Sequence, residues 1–540
     1  MKKTYVILGV AAIIMMFAYC SKKEEAKEEN KMEDISNAMA PPQEMPAPAE
    51  MAKRELIPGQ LAEREFNTEQ YDYIRENEFL SSVNHPLSTF SIDVDRASYS
   101  NVRRFITQGA LPPADAVRIE ELVNYFNYDY PEPQGEHPFS ITTEVSECPW
   151  NAKNKLVHIG LKGKSIDISQ VGPSNLVFLI DVSGSMENQD KLPLLVSSFK
   201  LLVDNLGAKD HVAIVVYAGA SGVVLPPTPC SNREIIYAAL DRLSAGGSTA
   251  GAEGLELAYK TAGKYYIKGG NNRVILATDG DFNVGPSSDG ELVRLIEQKR
   301  NEGIFLTVLG FGMGNYKDSK MEKLADKGDG NYAYIDNLLE AKKVLVKEIG
   351  GTLLTIAKDV KIQVEFNPLK VKEYRLIGYE NRLLNQEDFD DDTKDAGEMG
   401  SGHTVTALYE IVPADAHAGG SHESNLKYQK TVVKPETFSS DDLLSVKFRY
   451  KEPVGSVSKL IQQDLKDSYV GLDKSSDNFR FAAAVAEFGM ILRDSKFKGR
   501  SNFGDVLKLA KSAIGQDNEG YRRDFISLVE AARNLKKENI

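Results

Sequence analysis

Three short polar segments carry the side chains that are best suited to hold a metal ion. The sequence DVSGS at residues 181–185 follows an apolar run at residues 176–180, and TDG at residues 278–280 follows a second apolar run. GGST at residues 246–249 stands just before a helix predicted to start at residue 251. Carboxylate and hydroxyl oxygens are the ligands that Mg²⁺ and similar hard cations prefer. One segment alone would suit a helix N-cap equally well, but the three together predict a cation site.

The sequence around these segments has the pattern of a doubly wound sheet. Residues 172–350 alternate apolar runs of strand length with stretches of helical spacing. This alternation predicts an α/β domain whose mostly parallel sheet carries helices on both faces. Ligands bind at the carboxyl edge of such sheets, and each polar segment follows or faces a strand at that edge. The three segments are therefore predicted to meet at one rim.

The combination of Asp-x-Ser-x-Ser, Gly-Gly-x-Thr and Thr-Asp-Gly resembles the metal-ion-dependent adhesion site of von Willebrand factor A domains. The flanks extend the likeness. Residues 88–106 (STFSIDVDRASYSNVRRFI) and 388–411 (DFDDDTKDAGEMGSGHTVTALYEI) are similar to the flanking regions of a bacterial family of A-domain lipoproteins. The resemblance covers the chain from about residue 75 to residue 535, and all five site positions match.

The resemblance implies a role for each of five side chains. Ser183, Ser185 and Thr249 would offer neutral hydroxyls to Mg²⁺, or to Mn²⁺ or Ca²⁺ in its place. Asp181 and Asp279 would act largely through bound waters. With few charged groups in direct contact, a cation keeps much of its positive charge and attracts a carboxylate from outside. The implied partner is a protein or an envelope component that presents an acidic group.

The N-terminus reads as a targeting segment. Lys2 and Lys3 precede an apolar stretch at residues 5–19, which is shorter than the roughly 20 residues of a membrane span. Cys20 follows directly and is succeeded by polar residues, which resembles a bacterial lipoprotein signal with Cys20 as the lipidated residue. The expected location is the outer membrane, facing the periplasm or the cell surface. The alternative is an ordinary signal peptide with an incidental cysteine.

Six segments are predicted along the chain. They are a lipoprotein signal at 1–20, a flexible linker at 21–65, an N-terminal associated region with α and β elements at 66–165, the A domain at 172–350, an antiparallel β module at 355–455 and a helical region at 456–540.

The flanking regions are predicted to form a second β structure. Alternating strands recur after residue 352 without helices between them, which predicts antiparallel pairing in a sandwich or small barrel. Two similar strands at residues 139–145 and 156–161 are predicted to join them, so that the α/β domain is inserted into one β module. Residues 71–79 have the spacing of a short helix, and Asp93 and Asp95 are interpreted as a strand end that leads to a helix cap.

Composition and isolated residues restrict the remaining possibilities. The net charge of −13, without a block of Lys or Arg in the body, argues against a nucleic-acid partner. Cys148 and Cys230 are equally compatible with a disulfide and with two free thiols. The acidic loop at residues 387–395 lacks the EF-hand pattern and is interpreted as solvated rather than calcium-binding. The histidines His403, His417 and His422 are interpreted as exposed loop residues.

The leading hypothesis is a lipid-anchored binding protein that is not an enzyme. One alternative is a structural or assembly scaffold of the cell envelope, in which the metal only stiffens the rim. Another is a metal-dependent hydrolase, which would need a general base that no motif of the sequence supplies.

Overall fold

The computed structural model describes most of the chain after residue 68. The described residues are 69–166, 172–247, 251–280, 282, 289–313, 317–348, 351, 354–414, 433–453 and 455–538. Cys20, Thr249, His417 and His422 lie outside these residues, as do the whole of the predicted signal and linker. Within the described ranges, no helix combines the length and the apolar character needed to cross a membrane.

The strands of the described residues are numbered in chain order. They are β1 (Leu80–Ser81), β2 (Leu87–Ser91), β3 (Phe139–Glu147), β4 (Lys155–Gly163), β5 (Ser174–Asp181), β6 (His211–Tyr217), β7 (Ser221–Pro229), β8 (Asn271–Thr278), β9 (Ile304–Phe311), β10 (Tyr332–Ile335), β11 (Thr355–Phe366), β12 (Val371–Ile377), β13 (Leu383–Leu384), β14 (Gly397–Gly400), β15 (Thr404–Pro413), β16 (Asp442–Lys451) and β17 (Lys459–Lys466).

The α-helices are numbered in the same way. They are α1 (Ala97–Thr107), α2 (Ile119–Asn124), α3 (Leu192–Asn205), α4 (Arg233–Leu240), α5 (Gly251–Lys264), α6 (Asp289–Asn301), α7 (Asp318–Lys327), α8 (Leu338–Lys342), α9 (Asp477–Leu492), α10 (Phe503–Lys511) and α11 (Tyr521–Glu538). A π-helical turn, Lys343–Lys347, continues α8.

The central domain is built on a six-stranded sheet in the order β10-β9-β8-β5-β6-β7. All its neighbouring strands pair in parallel except β7, which runs antiparallel at one edge. Every residue of β5 and β8 is buried, because these strands lie in the interior of the sheet with helices on its two faces. The predicted doubly wound α/β domain is confirmed.

The flanking strands form two antiparallel sheets. One has the order β1-β12-β15-β4-β3, and the other has the order β13-β2-β11-β16-β17. Their apolar faces share one core, in which Phe90 and Ile362 of one sheet accompany Ile159 and Tyr409 of the other. The flanks therefore form a sandwich rather than a barrel. The pairing of β4 with β15 confirms that strands before and after the central domain belong to the same β structure.

Helices from both ends of the described chain share a separate apolar core. Tyr99 of α1 and Phe126 lie in this core with Phe481 of α9 and Phe525 of α11, and Trp150 lies at its border with the sandwich. The rings of Phe126 and Phe481 are 4.9 Å apart in an edge-to-face arrangement. The predicted C-terminal helices are confirmed, but the region predicted as helical at 456–540 begins with β17, a strand of the sandwich.

Two local predictions in the N-terminal region are wrong. Residues 71–79 are not helical, because Asn77 instead donates to the carbonyl oxygens of Leu376 and Gly378 at 3.2 and 2.8 Å. These contacts hold the segment beside β12, and such tertiary contacts outweigh helical spacing. Asp95 does not cap α1. It accepts from the backbone N–H of Tyr332 on β10 at 3.0 Å and so joins the flank to the central sheet.

The structure also shows whether Cys148 and Cys230 form a disulfide and whether His403 is exposed. Cys148 and Cys230 are both free and buried, so the alternative of a disulfide between them is wrong. His403 is not an exposed loop residue, because its ring lies against Gly351, where an added Cβ would come within 2.2 Å of it. Burial lowers the pKa of His403 to about 3.

The acidic loop is largely exposed to solvent, as predicted, and is also held by cations of the sandwich. The ammonium of Lys361 on β11 donates to the carbonyl oxygens of Asp388 and Asp391 at 2.9 and 2.5 Å. Arg449 on β16 pairs with Asp390 at 2.8 Å. The loop is therefore fastened to the sandwich by hydrogen bonds and an ion pair.

Candidate metal centre

The first and third polar segments meet because their strands are neighbours. Strands β5 and β8 pair in parallel, with Ile180 opposite Ala277, so Asp181 and Thr278 emerge side by side at the carboxyl edge. The hydroxyl of Thr278 donates to Oδ2 of Asp181 at 3.2 Å. Thr278 also accepts from the backbone N–H of Gly280 at 3.2 Å, which fixes the turn after Asp279.

The second polar segment is joined to the first by backbone hydrogen bonds. The N–H of Gly184 donates to the carbonyl oxygen of Gly247 at 3.1 Å, and the N–H of Gly246 donates to that of Val182 at 2.7 Å. Gly247 has φ of +87°, a left-handed conformation that favours glycine. The three segments that the sequence predicts to converge therefore do so within the described residues, which end on this loop at Gly247.

Asp181 is held at the rim by hydrogen bonds to both of its carboxylate oxygens. It is fully buried, and its Oδ1 accepts from the N–H of Ser183 at 2.9 Å. Its Oδ2 also accepts from the phenol of Tyr217 at 3.2 Å. Burial raises the pKa of Asp181 to about 6, with the charge of Asp279 adding to the shift and the hydrogen bonds opposing it. A carboxylate in this setting is stabilised by a nearby cation.

The two serines place hydroxyl oxygens next to each other at the mouth of the site. Their Oγ atoms are 3.0 Å apart; Ser183 is buried and Ser185 is exposed. The rim is thus open to solvent on the side of Ser185. The structure brings Asp181, Ser183 and Ser185 together, and the metal-binding role of these residues stays a prediction.

Asp279 has a buried cationic partner that the sequence did not reveal. The ammonium of Lys191, which directly precedes α3, donates to Oδ2 of Asp279 at 3.0 Å. Both side chains are buried. Lys191 follows Ser185 by six residues, but nothing in that spacing indicates that its ammonium turns back to a strand end 88 positions later.

The donor set fits a hard divalent cation. Asp181, Ser183, Ser185 and Asp279 supply only oxygen atoms, without the sulfur or imidazole ligands of zinc sites. Among the residues that the structure describes, no group of three or more His, Cys, Asp or Glu side chains is arranged to hold a metal.

The fold and the rim define a von Willebrand factor A domain protein. Residues 175–347 match the family model of the von Willebrand factor type A domain, and residues 65–158 match one described as von Willebrand factor. Residues 351–535 match the C-terminal region of the uncharacterized protein YfbK. The three matches follow one another along the chain.

The chain belongs to the family of YfbK. It is 43% identical over 472 residues to the uncharacterized protein YfbK of Escherichia coli K12, an alignment that covers 86% of this chain and 81% of that protein. It is also 29% identical over 188 residues to the uncharacterized protein sll0103 of Synechocystis, which covers 34% of this chain and 43% of that protein. A solved von Willebrand factor type A structure from Catenulispora acidiphila is 16% identical and covers 75% of this chain and 91% of that chain, with a TM-score of 0.40.

Proposed function

We propose that the A domain binds a divalent cation, Mg²⁺ or in its place Mn²⁺ or Ca²⁺, and captures an acidic group of a protein or another envelope component. One observation carries this proposal: the polar segments are hydrogen-bonded into one rim, with only oxygen donors, at the carboxyl edge of a parallel sheet. The proposed activity is binding rather than catalysis.

The proposed roles of the residues follow from their chemistry. Ser183, Ser185 and Thr249 would contact the cation through neutral hydroxyls, while Asp181 and Asp279 would hold its waters. Neutral donors leave a bound cation most of its charge, so a carboxylate from outside is attracted to complete the coordination. The exposure of Ser185 supports access of such a group from solvent.

We also propose that a lipid on Cys20 anchors the protein to the membrane. The support is the basic and apolar N-terminal sequence that ends at this cysteine. An anchored A domain is suited to hold a partner at the envelope, because tethering raises the effective concentration of the two components.

The test combines cation binding with capture from membranes. We expect Ser183→Ala and Asp279→Asn to weaken Mn²⁺ binding by about tenfold or more in calorimetry, because each alters an oxygen donor of the rim. The matched control is Ser197→Ala, since Ser197 is exposed on α3 and its hydroxyl bonds only to the carbonyl oxygen of Pro193. Wild-type affinity in Ser183→Ala would contradict the proposed site.

Capture from solubilised envelopes separates the alternatives. Immobilised protein should retain a partner in Mg²⁺ and release it in EDTA, and Ser183→Ala should retain none. Retention of a partner that is unchanged by EDTA and by Ser183→Ala, but requires the sandwich, would instead favour the envelope scaffold. Turnover of ester, phosphate or peptide substrates with Mg²⁺ would favour the hydrolase.

A further inference from the structure

The side chain of Lys191 is fixed by its surroundings beside the predicted cation site. Its side chain is 7% exposed, and its aliphatic stem lies over Gly312, where an added Cβ would come within 2.3–2.8 Å of the stem carbons. Gly312 also has φ of +69°, so its backbone favours glycine as well. The stem is therefore confined, and the ammonium is directed to Oδ2 of Asp279 at 3.0 Å.

Stability alone is a weak reason for this arrangement. Burying an ammonium and a carboxylate requires the loss of hydration of both, and well-packed apolar replacements of such pairs are often neutral or stabilising. Lysines near a surface usually place the ammonium in water while the stem packs below. Lys191 instead places its charge on a carboxylate that is part of the cation rim.

We propose that Lys191 sets the charge of the cation site. Asp181 and Asp279 alone would give the rim two negative charges. The ammonium of Lys191 compensates the charge of Asp279, so that one net negative charge remains. The ammonium therefore lowers the affinity for a divalent cation and increases the attraction of a bound cation for a partner's carboxylate. This role rests on the proposed cation site and adds to it a residue that tunes partner binding.

The two effects have opposite signs, and this distinguishes a charge effect from a packing effect. Removing the ammonium should strengthen cation binding, because like charges repel across a short distance. The same removal should weaken carboxylate binding to the loaded site, because the positive potential there falls. A disordered rim would weaken both.

The test uses the full chain with Lys191→Met, and Mn²⁺ alone as the first probe. We expect Mn²⁺ to bind about tenfold more tightly than to the wild type, measured by electron paramagnetic resonance of free Mn²⁺. Lys191→Arg keeps the charge and should stay within about threefold of the wild type. Lys200→Met is the matched control, because Lys200 lies on α3 and pairs with the exposed Asp241, away from the rim.

Acetate is the second probe, applied to the Mn²⁺-loaded protein and followed by water proton relaxation. Lys191→Met should need several-fold more acetate than the wild type to displace the bound water. Unchanged or weaker Mn²⁺ binding in a folded Lys191→Met would overturn the role of Lys191. If that variant does not fold, Lys191→Gln replaces it with the same criteria.

The outcomes also separate this role from the cation site itself. If the wild type and Lys191→Arg bind Mn²⁺ as tightly as Lys191→Met, only the role of Lys191 is overturned. If the wild type and all Lys191 variants fail to bind Mn²⁺, the proposed cation site fails and the role of Lys191 fails with it.

Discussion

At the residue scale, the hydrogen bonds around Asp181 fix its carboxylate. Donors come from three places in the chain: the backbone of Ser183, the hydroxyl of Thr278 and the phenol of Tyr217. Groups that hydrogen-bond to a metal-binding side chain, or to one that holds the metal's waters, orient it and tune its affinity. Tyr217 ends β6, which flanks β5 on the opposite side from β8 and Thr278.

Tyr217→Phe tests this support for the cation site. We expect the domain to fold and to bind Mn²⁺ up to about tenfold more weakly in calorimetry, because Asp181 loses one donor. Tyr259→Phe is the control, since the buried phenol of Tyr259 has no hydrogen-bond partner in the described part of the chain. Equal affinities of the two variants would show that the phenol of Tyr217 does not support the site.

At the scale of elements, a buried arginine joins α1 to the end of the central domain. The guanidinium of Arg103 contacts Asp336 at 2.6 and 2.7 Å and Glu340 of α8 at 2.7 Å. Tyr125 donates to the same carboxylate of Glu340 at 2.8 Å. The flanking helices thus hold α8 by ion pairs and a hydrogen bond.

Arg103→Met should destabilise the protein by roughly 3–5 kcal/mol, because it leaves two carboxylates buried without their cation. The measurement is the free energy of unfolding in urea. Arg242→Met provides the comparison, since Arg242 is exposed and donates only to Ala238 of the preceding turn. A loss below 1 kcal/mol in Arg103→Met would mean that these carboxylates find other partners.

A second junction connects α7 with the sandwich. Arg382 lies between the two and contacts Asp326 and Glu322 of α7 at 2.7 and 2.9 Å and Asp95 at 3.1 Å. A cleft of about 440 Å³ beside it is lined by further carboxylates, among them Glu398 of β14. Because carboxylates from both sides meet at this junction, we expect its stability to depend on pH.

Glu398→Gln tests that sensitivity. Burial and the charge of Asp329 raise the pKa of Glu398 to about 7, against the opposing charge of Lys358. A raised carboxylate pKa contributes stability that is complete below the unfolded pKa of about 4.5 and is lost as the pH rises through about 7. We therefore expect the variant to be more stable than the wild type at pH 8 by about 1–3 kcal/mol and to lose less stability between pH 6 and pH 8.

The control for this pH effect is Glu365→Gln. Glu365 lies on β11 with half of its side chain exposed, where it pairs with Lys447 at 2.9 Å. Unfolding temperatures measured at pH 6, 7 and 8 should follow the wild type in Glu365→Gln. A Glu398→Gln variant with the same pH profile as the wild type would contradict the prediction.

At the scale of the whole molecule, the A domain is inserted into the sandwich, whose strands come from before and after it in the chain. The strand before it, β4, pairs with β15 after it, and β2 pairs with β11. The chain enters and leaves the central domain from one sandwich. We therefore expect changes at the junctions with the sandwich to affect the domain that carries the proposed cation site.

Cys20→Ser tests the proposed anchoring. We expect the wild type to sediment with membranes and to incorporate an alkyne-labelled fatty acid, and the variant to incorporate none. Cys148→Ser is the control, because Cys148 is buried in the folded region and should not change labelling. Equal fatty-acid labelling of Cys20→Ser and the wild type would contradict lipidation at Cys20.

Much of the fold was predictable because its signals are local. Apolar runs such as residues 176–180 and the helical spacing between them reflect periodicities of a few residues, and each element needs only its own stretch to show them. The position of the rim followed as well, since parallel strands place their carboxyl ends at one edge. The segment at residues 71–79 shows the limit, because its contacts with β12 lie about 300 positions away.

The sequence by itself determined the class of domain, the loops at its rim and the oxygen chemistry of their side chains. Only the tertiary structure decided which groups the buried charges contact: Lys191 contacts Asp279, and Asp95 accepts from the N–H of Tyr332. These contacts join residues 88 and 237 positions apart. No periodicity encodes them, because they arise where separately formed elements pack and a buried charge or N–H must find a partner.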